Sequence, residues 1–173
     1  MIARMKEQTH IIAAIVEHKP GVLYKVSNMF RRRGFNIESI SVGPTEQRDL
    51  ARMTITVNGD QKIIEQVIKQ LSKLIDVIKV SRLDPASIVT REMALVKVHT
   101  SATRAKSDVI NYANIFRARV VDVSPESLMM EITGGPDKIE AFIHLMTPFG
   151  VKEVARTGIT ALSRGAKSVK IEG

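Results

Sequence analysis

Thiolate chemistry is closed to this chain, because its 173 residues include no cysteine. A disulfide framework, a thiolate zinc site and a cysteine nucleophile are all excluded. The four histidines, His10, His18, His99 and His144, are dispersed, and none stands at metal-ligand spacing from another histidine or a carboxylate. Ser163, in Gly158-Ile159-Thr160-Ala161-Leu162-Ser163-Arg164-Gly165, lacks the G-x-S-x-G pattern that raises a serine nucleophile on a sharp elbow. Gly134-Gly135-Pro136-Asp137-Lys138 has the wrong spacing to its lysine for a phosphate loop, and no Ser or Thr follows. These residues make no catalytic set. What remains is a binding chemistry, in Glu17-His18-Lys19-Pro20-Gly21-Val22-Leu23. Pro20 suits a first helical position, where its missing N–H has no intrahelical acceptor, and Gly21 admits a close neighbour to the backbone. The free N–H groups of a helix start, at the positive end of the helix dipole, can hold a carboxylate. His18 either donates to such a ligand or faces water.

The formal net charge of +8 raises the question of nucleic acid. The excess lies in residues 1–83, with 14 basic against 8 acidic side chains, while the rest has 12 against 10. Its densest cluster, Arg31-Arg32-Arg33 before Gly34, reads as a helix C-terminus: cations oppose the negative dipole end and glycine takes the left-handed cap. Aromatic residues are 4% of the chain, too few for base-stacking platforms, so the reading is no nucleic acid. The apolar run Ile11 to Val16 is too short to cross a membrane and lacks a signal-cleavage pattern, which predicts a soluble, cytoplasmic protein.

The elements that must position the turn follow from periodicity. Thr9 to Glu17 is a near-continuous apolar run and predicts a strand buried on both faces. From Pro20 to Arg33, Val22, Val26, Met29 and Phe30 recur at helical spacing, and Gly34 closes the helix. Asn36 to Val42 predicts a second strand stopped by Gly43-Pro44, and Arg52 to Val57 alternates as a third. Asn58-Gly59-Asp60 supplies a turn and helix cap before the stripe Ile64, Val67, Ile68, Leu71. Val77 to Leu83 closes the unit. This is the βαββαβ, or ferredoxin-like, order. Asp84-Pro85-Ala86-Ser87 marks a boundary, giving domains 1–84 and 85–173. The order then restarts: strand Met93 to His99; helix face Val109, Ala113, Phe116; strands Val120 to Val123 and Leu128 to Ile132; helix face Ile139, Phe142, Ile143, Met146. Val151 to Ala155 and Ile159 to Leu162 supply a closing strand or two segments of it. The fold class is α+β, with two ferredoxin-like units.

Particular stretches carry a family resemblance: Pro20-Gly21-Val22-Leu23, Arg33-Gly34-Phe35-Asn36-Ile37-Glu38-Ser39, Ala51 to Ile55, Lys69 to Val77, Arg91-Glu92 with Leu95 to Val98, and Leu162-Ser163-Arg164-Gly165. Together they resemble the small, regulatory subunit of acetolactate synthase (acetohydroxyacid synthase) over nearly the whole chain. The resemblance implies that the N-terminal domain is an ACT domain. It implies a homodimer through the ACT domains, a catalytic large subunit as partner, activation of that partner, and feedback by a branched-chain amino acid, most often valine. The chemistry would be the partner's, with thiamine diphosphate, magnesium and usually FAD; no cofactor is expected on this chain and no catalytic site of its own. The effector residues implied are His18, Pro20, Gly21, Val22 and Leu23 on one subunit, facing Asn36 and Ile37 of the other. Many members carry Asn where this chain has His18, so a contact to the effector's amine would here depend on imidazole protonation. The alternative is a free-standing amino-acid-responsive ACT regulator, possibly associated with nucleic acid; it calls for a DNA-binding helix-turn-helix or ribbon, and neither is visible in the sequence.

Overall fold

A computed structural model describes residues 8–101, 103–166 and 168–169. The chain divides into two compact units, one of residues 1–89 with 158–173 and one of residues 90–157. The division therefore falls after Val89, past the 3-10 turn Pro85–Ser87 that the Asp84-Pro85 signal marks, and the terminal segment joins the first unit.

The first unit runs β1 (Gln8–Glu17), α1 (Val22–Arg33), β2 (Ser39–Pro44), β3 (Leu50–Gly59), α2 (Gln61–Leu71) and β4 (Val77–Leu83). Its antiparallel sheet has the order β2-β3-β1-β4, the arrangement that the element sequence predicts. β1 lies at the centre, in register with β3 from Gln8 opposite Gly59 to Glu17 opposite Leu50. One face of the sheet presents Ile12, Ala14, Val16, Met53, Ile55 and Val57 to the helices, where Val26, Phe30, Ile64, Val67 and Leu71 complete a core with all these side chains buried. Each large side chain so buried contributes roughly 1.5–3 kcal/mol. The other face carries Ala13 and Ile15, and these pack with Leu83, Ile88, Ala161 and Val169. The continuous apolar run of β1 thus has its explanation: both faces are covered, one by helices and one by the terminal segment.

That segment contains β9 (Thr160–Ser163), which sequence reasoning assigns to the second unit; it pairs with the strand Ile88–His99, as that reading implies, while the segment packs within the first unit. Gly158 shows what places it in the first. A Cβ at Gly158 would collide with the Ile40 carbonyl, so only glycine permits the approach to β2. Ser41 Oγ then donates to Ile159 O at 3.1 Å, Arg52 Nη2 to Ala161 O at 2.9 Å, and Arg164 N to Ser87 O at 2.7 Å.

Two local readings are corrected. β2 begins at Ser39 and runs through Gly43 and Pro44, paired with Arg52 and Ala51, because an edge strand needs no inward N–H from proline. Asn58 and Gly59 belong to β3; Asp60 alone caps α2, its side chain accepting from Ile63 N at 2.9 Å.

The second unit holds most of β5 (Ile88–His99), then α3 (Thr103–Ile115), β6 (Arg119–Val123), β7 (Ser127–Gly134), α4 (Pro136–Met146) and β8 (Val151–Arg156). Its sheet repeats the order as β6-β7-β5-β8. Ala94, Val96, Val98, Val109, Ala113, Leu128, Met130, Ile132, Ile139, Phe142 and Met146 form its core. Buried Glu92 accepts from Arg156 Nε at 3.0 Å, and Arg156 Nη1 reaches Glu140 at 3.0 Å. The Glu92 carboxylate, more than Glu140, pushes the Arg156 guanidinium further up against its own desolvation. Among the described residues no helix is long and apolar enough to cross a membrane.

Candidate functional site

The stretch from Glu17 to Leu23 connects the end of β1 to α1, and its geometry differs from the sequence expectation in where the helix begins. Pro20 lies before the helix. Gly21, at φ 86° and ψ −12°, is the N-cap, and Val22 is the first helical residue. These angles are those of the third position of a type II turn, with Pro20 preset for the second. Gly21 is needed for this left-handed conformation, and no heavy atom lies within 4 Å of a Cβ built on it, so the turn is open on that side.

The helix start is open electrostatically as well. No side chain caps α1, and its first turn carries no acidic residue. The two other helix starts whose caps are described differ: Asp60 caps α2 directly, and α4 carries Asp137 in its first turn. An α-helix leaves its first N–H groups without intrahelical acceptors, and at α1 no cap side chain and no first-turn carboxylate among the described residues answers them. This is an anion-binding geometry.

The turn is held from both sides. His18 N donates to Asp49 O at 2.7 Å, and Glu17 N to Asp76 O at 2.9 Å. The Asp76 side chain, 1% exposed, lies between two cations, Lys19 Nζ at 2.7 Å and Lys25 Nζ at 2.6 Å. Lys19 also pairs with Glu17. Bonding to Lys19, then Lys25, holds the Asp76 carboxyl down to about 2, and bonding to Asp76, then Glu17, pushes the Lys19 ammonium up to about 12. Both lysines beside the helix start are thereby engaged, and the turn's N–H groups remain as its open polar feature. Asp76 was missed by sequence reasoning; its only signal is a lone carboxylate between Ile75 and Val77, at the start of β4.

The residues implied for the effector fall into two groups. His18, Pro20 and Gly21 are exposed, and Leu23 is 49% exposed on the first turn of α1. Val22 is buried in the core, so it has only its backbone N–H to offer a ligand. Asn36 is exposed in the segment between α1 and β2, where its Nδ2 donates to Glu38 Oε1 at 2.6 Å. Ile37 is half-buried and packs on the helix-side core. In one chain Asn36 is turned to Glu38 and the turn to Asp76 and Asp49.

Of the histidines, His10 is buried with Nε2 3.1 Å from Gly59 O, a structural contact. Among the described residues no group of three or more His, Asp or Glu could hold a metal ion.

Known proteins resemble the chain along almost all of its length. Residues 91–165 match the family profile "Small subunit of acetolactate synthase", and residues 12–79 match "AHAS small subunit-like ACT domain". A "Probable acetolactate synthase small subunit" of Methanothermobacter thermautotrophicus is 56% identical over 165 residues, covering 95% of this chain and 98% of the relative. A protein of the same description from Archaeoglobus fulgidus is 56% identical, covering 91% and 98%. The crystal structure of the acetolactate synthase small subunit of Thermotoga maritima superposes with a TM-score of 0.86 at 46% identity, covering 92% of this chain and 99% of that one.

Proposed function

The chain belongs to the acetolactate synthase small-subunit family, and from that premise we propose that it activates a thiamine-diphosphate-dependent catalytic subunit in the cytoplasm and makes it sensitive to a branched-chain amino acid, valine foremost. The catalytic partner condenses pyruvate with pyruvate or 2-oxobutyrate, with thiamine diphosphate, magnesium and usually FAD. This chain contributes regulation and no reactive group.

The observation that carries the effector reading is the uncapped start of α1 beside an open Gly21, in a unit whose second helix is capped by Asp60. The valine carboxylate takes the N–H groups of the turn. Two copies pair through their ACT units, and Asn36 of the second copy leaves Glu38 to bond the effector's polar groups, with Leu23 and Ile37 beside the aliphatic side chain. His18 is the neighbour of the ammonium. Its imidazole can accept a hydrogen bond from that ammonium. Regulation then follows from linkage: if valine favours one arrangement of the paired units, and the catalytic subunit favours another, each ligand weakens the other by the same factor.

Reconstitution with the cognate catalytic subunit tests this. Acetolactate formation is expected to rise on adding the chain and to fall again on adding valine. A catalytic subunit whose rate is indifferent to the chain contradicts the reading.

A further inference from the structure

The face of the first sheet opposite the helices carries a cavity of about 410 Å³. It opens between the ends of β1 and β3, the loop that joins β2 to β3, and the terminal segment. Ile15, Pro44, Leu50, Leu162 and Val169 make apolar walls, and Arg52 supplies a cation. The size falls within the range of small-molecule sites, and apolar walls with a few placed polar groups, here Arg52 with Glu46, Thr45, Gln47 and Ser163, are their common chemistry.

Arg52 stands out among the arginines of this unit. It projects from β3 between buried Ala51 and Met53, and its guanidinium is partly withdrawn from water. Nη2 donates to Ala161 O at 2.9 Å, while Nε is buried with no acceptor among the described residues. Burial pulls its pKa down from the usual arginine value; the Glu46 carboxylate on the same wall acts through space in the opposite sense, and less strongly. A guanidinium has five N–H donors, and one that is removed from water with donors unanswered is costly unless an anion completes it. We propose that this cavity binds a short aliphatic carboxylate, its charge on Arg52 and its hydrocarbon chain against Ile15, Leu50 and Leu162. The site is separate from the effector turn, since it lies on the opposite face of the sheet and uses no N–H of α1. The loop lining it is nonetheless bonded to that turn through His18 N and Asp49 O, so a turn variant must serve as a control.

The test is calorimetric titration of the full-length chain with three probes sharing one branched skeleton: 3-methylbutanoate, 3-methyl-2-oxobutanoate and valine. They differ only at the α carbon, so the binding pattern reports whether the natural ligand is a simple acid, an oxo acid or an amino acid. At least one probe is expected to bind with one site per chain, to lose tenfold or more in affinity in Arg52→Met, and to keep its affinity in Gly21→Asp. Leu162→Trp keeps the arginine and fills the cavity from a side chain that is 58% exposed, so the fold is retained; it is expected to abolish the same binding. Absence of binding by all three probes at 10-millimolar order, or binding unchanged in both cavity variants, overturns the proposal. So does binding of valine alone that Gly21→Asp removes, since that is the turn site.

Discussion

The two units share element order, strand order and a helix-covered core, and they differ in what lies on the other face of the sheet. In the first, the central strand β1 has an unbroken buried stretch from Ile12 to Val16 because the terminal segment covers its second face. In the second, β5 alternates buried with half-buried residues, and its outer face carries Lys97 paired with Glu153 at 3.2 Å beside Leu95 and Met129. One topology therefore serves two burial regimes, and the hydrophobic period of the central strand reports which one holds. The units also differ at helix ends. The first closes α1 with Gly34 at φ 69°; the second follows α3 with Arg117 at φ 53°, a left-handed conformation that costs a side-chain-bearing residue about 1–2 kcal/mol. The open helix start, with its two-sided anchorage by Asp49 and Asp76, belongs to the first unit.

This contrast can be broken in several ways. The largest effect belongs to the second core: Phe142→Ala, at a fully buried ring packed on Phe116, is expected to destabilise the protein by about 3–5 kcal/mol in denaturant unfolding. Valine binding by the folded fraction should be unaltered, and a weakening would mean that the second core shapes the turn.

Asp76→Asn comes next, because it removes the charge that engages Lys19 and Lys25. Valine affinity is expected to fall several-fold. The pH dependence fixes the cause. The Asp76 pKa is lowered in the fold from an ordinary 3.8 to about 2. Its stabilising contribution is therefore complete above the ordinary value and is lost as the pH falls from about 4 towards 2. The stability difference between wild type and variant should be constant above that window and shrink within it. A difference that stays flat down to pH 2 would remove Asp76 from the account.

Asn36→Ala removes one proposed intersubunit hydrogen bond, worth about 0.5–1.5 kcal/mol, so the half-inhibitory valine concentration should rise roughly twofold to tenfold while activation persists. Unchanged inhibition would assign the polar contact elsewhere. The smallest effect is at Arg117→Gly, which gives α3 the residue type that ends α1. Relief of the left-handed conformation, set against the greater freedom of glycine in the unfolded chain, should raise stability by about 1 kcal/mol or less. A loss would show that the Arg117 side chain contributes more than its backbone costs.

Much of this was legible in the sequence because it rests on local periodicity. Val77–Leu83 is β4 at both ends, Gly34 is the left-handed cap after three arginines, the stripe of α1 is buried, and in α2 Ile64, Val67 and Leu71 are buried with Ile68 half-buried. What was not legible depends on distant partners. Pro44 and Asn58-Gly59 carry turn chemistry yet extend strands, because neighbouring strands supply the pairing. Ile159, Ala161 and Val169 look like the end of the second unit; nothing local shows that Gly158 lets the chain back onto β2. At the candidate site the open turn is visible as Pro20-Gly21, though the helix begins at Val22, two residues after the proline that the sequence puts first. The Asp76 clamp was invisible, since it joins residues more than fifty positions apart.

The central claim is that the open start of α1 is where the amino acid is sensed, and titrating valine into the chain by calorimetry tests it most directly. Gly21→Asp places a carboxylate at the turn, and Gly135→Asp places one at the N-cap of α4, a position with equal room for it. The account predicts that valine binds the wild type and Gly135→Asp alike and loses more than tenfold in affinity to Gly21→Asp. Equal binding by all three proteins would contradict it.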